Sequence, residues 1–219
     1  MLDEVRLKLD TFPYRLYQPM PWLGLQGAAR DRATASRFEA MLPVIERTAS
    51  EDAVDVGCNL GWYVVSLAER GIQTIGIEES PPAYRSALLA VKRSGASNAG
   101  ILAMRVTPET AALVPSVDAM LLLSVWHHFV RSFGLSGATD MLETVWSRTR
   151  RVLFFETGED EMGFEFGLPA FLPDARTWLT GYLESTCERS EVLHLGLHDA
   201  FDAAARPCRR NLFAVVRAH

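Results

Sequence analysis

Three short stretches of this 219-residue chain carry residue types and spacings that can do chemistry. The first is Asp55-Val56-Gly57-Cys58-Asn59-Leu60-Gly61, which follows an apolar run and precedes an amphipathic one. A strand that ends in a glycine-rich turn and feeds a helix brings backbone close to a nucleotide-like ligand. A second apolar run, Thr74-Ile75-Gly76-Ile77, ends in Glu78. That carboxylate stands about 20 residues beyond the turn, the distance at which an acidic side chain holds two ribose hydroxyls. The second stretch is Ser124-Val125-Trp126-His127-His128-Phe129. Histidine is the side chain best suited to take a proton near neutral pH, so His127 and His128 are the candidate general bases. Adjacent residues point in different directions, so one of the pair is expected to be structural. The third stretch, Glu156-Thr157-Gly158-Glu159-Asp160-Glu161, holds four carboxylates in six residues. Such a charge run reads as a solvated loop, with Glu156, first after a strand, the member expected to point inward toward a substrate.

Positioning these groups falls to alternating strands and helices from residue 52 onward. Ala53-Val54-Asp55-Val56 reads as a short buried strand. Leu60 to Arg70 reads as a helix with Leu60, Val64, Leu67 and Ala68 on one face and Gly71 as its stop. Thr74 to Ile77 is the second strand. Ser80 and Pro81 suit the start of a helix whose Tyr84, Ala87, Leu88 and Val91 form one stripe. Gly100 to Met104 is a third strand, and Val117 to Leu123 a fourth, nearly all apolar as a central parallel strand should be. Thr139 to Arg150 reads as a helix, Val152 to Phe155 as a fifth strand, and Asp174 as the cap of a further helix. Glu191 to Leu195 and Asn211 to Val216 read as a closing antiparallel pair. The pattern implies an α/β fold: a doubly wound, mostly parallel seven-stranded sheet with a C-terminal antiparallel hairpin and helices on both faces. Ligands in such sheets bind beyond the carboxyl ends of the strands.

Composition is that of one globular domain, 48% hydrophobic and 22% charged. The net charge of −5 disfavours a dedicated nucleic-acid binder. Cys58, Cys187 and Cys208 are odd in number and widely spaced, without a metal or disulfide pattern, which suggests a reduced, cytoplasmic setting. The start, Met1-Leu2-Asp3-Glu4-Val5, is too acidic and polar for a signal peptide, and no run of about 18 apolar residues predicts a membrane span. Residues 11–22 differ from the rest, with three prolines and four aromatics that prevent a continuous helix. Ala29 to Met41 then has helical composition, and Pro43 is expected to stop it.

The turn does not meet the three-glycine nicotinamide fingerprint. It resembles the D/E-x-G-x-G-x-G motif of class I S-adenosylmethionine-dependent methyltransferases, with Asp55, Gly57 and Gly61 in place and Asn59 at the usual middle glycine. Asparagine is the non-glycine residue most tolerant of positive φ, so the turn survives the change. The resemblance spans roughly residues 50–157 and includes Glu78 and the strand order. It implies that the glycine turn passes beneath the methionine part of S-adenosylmethionine while Glu78 holds the ribose. Asp55, Gly57, Cys58, Asn59, Gly61, Glu78, Ser124 and Trp126 are then the cofactor-binding candidates. The family's usual polar residue after the third strand is absent from Met104-Arg105-Val106-Thr107, which leaves Met104 as an apolar wall.

The resemblance also implies that residues 49–219 form the cofactor-binding methyltransferase domain. Residues 1–48 then act as a lid, with Tyr14, Tyr17 and Trp22, together with Glu156, as candidate substrate contacts. Trp62, Tyr63, Trp126 and Phe129 are aromatics whose faces could attract a sulfonium. The amino-directed N/D-P-P-Y/F motif is missing, and no glutamates stand ahead of the two histidines as in some metal-dependent members, so no metal is expected. The expected activity is methylation of a small-molecule acceptor, with oxygen as nucleophile and a histidine base. One rival is an RNA-modifying methyltransferase using Arg148, Arg150 and Arg151 with Arg30, Arg32 and Arg37. Another is a non-catalytic protein that binds S-adenosylmethionine. The sequence leaves oligomeric state open.

Overall fold

The computed structural model describes residues 18–24, 34–202 and 206–218. Seven strands form one sheet: β1 (Asp52–Val56), β2 (Gln73–Glu78), β3 (Ala99–Ala103), β4 (Val117–Leu123), β5 (Thr149–Glu156), β6 (Ser190–Phe201) and β7 (Pro207–Arg217). Their order is β3-β2-β1-β4-β5-β7-β6. β1 to β5 are parallel, and β7 runs antiparallel to both β5 and β6. Five α-helices lie among the described residues: α1 (Thr34–Arg47), α2 (Trp62–Ala68), α3 (Pro81–Ser94), α4 (Trp126–Ser147) and α5 (Ala175–Thr186). None of them is long and apolar enough to cross a membrane.

The two-residue period of a strand splits β1 between two cores. Val54 and Val56 face Met120, Leu122, and the α4 and α5 side chains Met141, Leu142, Leu179 and Leu183. Ala53 faces the other way, toward Leu121, Phe154, and Phe38, Met41 and Leu67 of α1 and α2. The strand order reverses between β1 and β4. That reversal opens a crevice beyond their carboxyl ends, where doubly wound sheets bind ligands.

The structure departs from the sequence reading in two helices. α1 continues through Pro43 to Arg47. Val44 and Ile45, beyond the proline, are buried with Met41, and their apolar burial outweighs the lost backbone hydrogen bond. α4 begins at Trp126 rather than Thr139, and Gly134 (φ 72°, ψ 171°) breaks it midway. The glycines at 134 and 137 hid the first half, which is held in place by the buried Phe129 and Val130. Asp174 caps α5 as read, its Oδ1 accepting the Thr177 amide at 2.9 Å. The closing hairpin extends well past the predicted pair and carries Asp199 to Phe201 and Arg210 to the crevice.

Candidate active site

The glycine turn needs left-handed backbone. Gly57 has φ 72° and Asn59 φ 52°, so asparagine does serve at the middle position. Gly57 also needs its lack of a side chain: a Cβ there would lie 2.6 Å from Val125 Cγ2 at the end of β4. Glu78 anchors the turn from the next strand. Its Oε2 accepts the Asn59 amide at 2.8 Å and its Oε1 the Ser80 amide at 2.7 Å. Burial raises its pKa, and these two bonds partly restrain the rise. Asp55 lies beneath the turn, 2% exposed, and burial followed by the Glu78 charge pushes its carboxyl well up. Asp55 Oδ2 and Asn59 Oδ1 are buried without a hydrogen-bond partner among the described residues.

A cavity of about 530 Å³ opens at this corner, with Gly57, Asn59, Glu78, Met104, Val125 and Phe129 on its walls. It continues to a polar end formed by residues from distant parts of the chain. There Ser124 Oγ donates to Glu156 Oε1 at 2.6 Å, and Arg37 Nε of α1 donates to Glu156 Oε2. Arg210 of β7 donates from Nη1 to Ser124 Oγ at 3.2 Å and from Nε to Glu161 Oε1 at 2.7 Å. Ser124 itself has φ 57°, an unusual conformation for a non-glycine residue.

The carboxylate run is therefore not a solvated loop. Glu156 is fully buried, Glu161 is paired to Arg210, and Glu159 is 7% exposed with its carboxylate on the Asn211 backbone and side-chain amides. Burial pushes the Glu159 carboxyl up to about 7. Asp160 alone among the four is exposed. The partners that turn the run inward, Arg37, Arg210 and Asn211, come from α1 and β7, and no local pattern announces them.

The two histidines lie in different surroundings. His128 lies on the cavity wall. His127 does not; it is 4% exposed, and its Nδ1 accepts the Gly158 amide at 2.9 Å. Burial, and then the neighbouring His128, lowers the His127 pKa well below the ordinary range. Burial and the Arg131 charge lower that of His128.

Five cofactor and substrate candidates are not on the cavity wall: Asp55 and Gly61 of the turn, and Cys58, Trp126 and Trp22. Cys58 turns its thiol into the sheet, where a Cβ on Gly76 would lie 2.6 Å from its Sγ. Trp126 is fully buried in the core, its Nε1 donating to Tyr182 Oη at 3.1 Å. Trp22 donates to Glu69 Oε1 at 2.6 Å on the outside of α2. Tyr14 and Tyr17 lie outside the described residues. Among the described residues of the N-terminal segment, Gln18, Thr34 and Arg37 reach the cavity. Arg37, read earlier as part of a basic patch, and Arg210, not singled out at all, are the residues that sequence reasoning missed. Arg150 and Arg151 sit at the opposite end of the sheet, where Arg150 binds Asp52 at 2.7 Å and Asp118 at 2.9 Å, and Arg151 approaches Asp118 at 3.3 Å.

Residues 54–154 match a family described as methyltransferase domain. No curated protein matches the sequence. Among solved structures, the fold is similar to that of WbdD, described as a bifunctional kinase-methyltransferase, with a TM-score of 0.71 at 20% identity. That match covers 95% of this chain but 45% of WbdD, so the chain spans just under half of that protein's length. The N-terminal domain of EvdMO1, solved with S-adenosylhomocysteine, matches at TM-score 0.64 and 16% identity, covering 100% of this chain and 98% of that one. Magnesium protoporphyrin IX methyltransferase from Synechocystis PCC 6803, solved with S-adenosylmethionine, matches at TM-score 0.59 and 15% identity, covering 84% and 81%. Residues 54–154, set in the seven-stranded sheet described above, thus carry the match to a methyltransferase domain, and the chain shares the fold of these solved structures.

Proposed function

We propose that the chain transfers the methyl group of S-adenosylmethionine to an oxygen of a small-molecule acceptor, with His128 as general base. The observation that carries this is the continuous cavity, which joins the glycine turn and Glu78 to a polar end and has His128 on its wall. The residues present fit the cofactor. Each Glu78 oxygen keeps a lone pair beyond its amide bond and would take a ribose hydroxyl. The unpartnered Asn59 Oδ1 offers an acceptor to the ammonium group, and Gly57 lets the ligand approach the backbone closely.

When bound, S-adenosylmethionine supplies an electrophilic methyl: an acceptor lone pair forms the C–O bond while the C–S pair stays on sulfur. The chain supplies position and a dry site, with Met104, Val125 and Phe129 excluding water from the cavity. The lowered pKa of His128 leaves it unprotonated at neutral pH, so a ring nitrogen is free to take the acceptor's proton. Replacing His128 by alanine should lower kcat by about 10²–10⁴-fold and leave S-adenosylhomocysteine affinity intact. The same change at His127 should act mainly on stability. Unchanged turnover in His128→Ala removes the base role. The pairing of Arg150 and Arg151 with Asp52 and Asp118, away from the cavity, supports a small acceptor over RNA.

A further inference from the structure

We propose that the acceptor is a neutral polyol, a saccharide or cyclitol that presents vicinal hydroxyls to the buried row Arg210–Ser124–Glu156–Arg37; this rests on the methyl-transfer reading above. The row is continuous through hydrogen bonds, and all four members line the cavity. Its charges cancel. Arg37 and Arg210 are 9% and 5% exposed, and they are met by fully buried Glu156 and by Glu161. Of the other charged wall residues, Arg105 lies 3.2 Å from Glu79 and Asp199 lies 3.9 Å from Arg209; Arg131 lies over the Phe166 ring, and its charge is matched on the same wall by that of Glu78.

A wall balanced in this way does not compensate an incoming anion or cation for the water it loses. It does suit hydroxyl groups, each of which both donates and accepts hydrogen bonds. Glu156 has about four lone-pair sites, of which Arg37 and Ser124 use one each. Arg37 has about five N–H donors; its Nε is committed to Glu156 and another is engaged by the Tyr63 hydroxyl, and the rest remain for a ligand. Two neighbouring hydroxyls can therefore meet the guanidinium and the partly exposed Ser124 hydroxyl side by side, with the buried carboxylate holding both in place. Leu123, Phe133 and Phe201 on the same cavity offer the apolar surface that a ring's C–H face packs against. The left-handed Ser124 backbone is the kind of local strain that persists where a side chain must be held in one place.

The test uses the full chain with saturating S-adenosylmethionine and a matched probe panel. Methyl hexosides and myo-inositol represent neutral polyols; glucuronate and hexose 6-phosphates represent anionic ones. S-adenosylhomocysteine release and product mass are read, with S-adenosylhomocysteine binding measured separately. The neutral set should be methylated at least tenfold faster than the anionic set. Glu156→Gln, which leaves two arginines against one carboxylate, should move that ratio at least tenfold toward the anions. Anions favoured by the wild-type chain, or no neutral polyol methylated while S-adenosylhomocysteine still binds, overturns the acceptor assignment alone. Failure to bind S-adenosylhomocysteine overturns the methyl-transfer reading beneath it. If the variant does not fold, the wild-type ratio decides.

Discussion

Glu78 holds two loops together and faces the cavity, so replacing it by glutamine should report on structure and binding at once. The amide keeps the volume but turns one acceptor oxygen into a donor. One of the two backbone bonds, to Asn59 at 2.8 Å or Ser80 at 2.7 Å, is lost, and two donors then face each other. A hydrogen bond to a charged group contributes about 1.5–3 kcal/mol. The carboxylate is 7% exposed, so solvent does little to soften the loss. For a chain of this size the melting temperature should fall by roughly 3–12 °C. If the same group also holds the ribose, S-adenosylhomocysteine affinity should drop roughly 10–150-fold. Glu79→Gln serves as the control, because its ion pair with Arg105 is exposed and is expected to contribute at most about 1 kcal/mol. Calorimetric melting and titration with S-adenosylhomocysteine give both quantities. Equal melting and equal affinity for Glu78→Gln and the wild type would refute the reasoning.

Two further perturbations probe other parts of the account. Gly57→Ala forces a Cβ to within 2.6 Å of Val125 Cγ2 at φ 72°, so it should lose about 1–2 kcal/mol from backbone strain alone and bind S-adenosylhomocysteine weakly; adding Val125→Ala should recover part of the stability, and a single variant that melts like wild type contradicts the turn geometry. Glu159 keeps its proton up to about pH 7 when folded but releases it near 4.5 when unfolded, so its contribution to stability is present below 4.5 and is lost as pH rises through 7. Glu159→Gln should flatten the decline in unfolding free energy between those values by about 1–2 kcal/mol once screening is allowed for; parallel profiles would contradict it.

The sheet and the cofactor corner were legible because their signals are local. Asp55 to Gly61 is a contiguous turn, Glu78 ends an apolar run, and the buried strands have distinctive composition. Asn59 was read correctly from its tolerance of positive φ. The acceptor end was not legible, because it is assembled across the sheet. Arg37 and Arg210 meet Glu156 only after α1 and β7 have folded against β5, so the carboxylate run looked like a solvated loop. Cys58 and Trp126 were misplaced for a different reason: sequence position puts them beside the site, but Gly76 and Tyr182 provide buried places that draw their side chains inward. Pro43 misled because tertiary burial of Val44 and Ile45 overrides a local helix breaker.

The claim on which the rest stands is that the corner formed by β1, Glu78 and the end of β4 is an adenosyl-sulfonium site. Isothermal titration of the purified chain with S-adenosylhomocysteine tests it most directly. Saturable binding at one site per chain, displaced by S-adenosylmethionine, is the result expected. No binding of either nucleoside to the folded wild-type protein would contradict it.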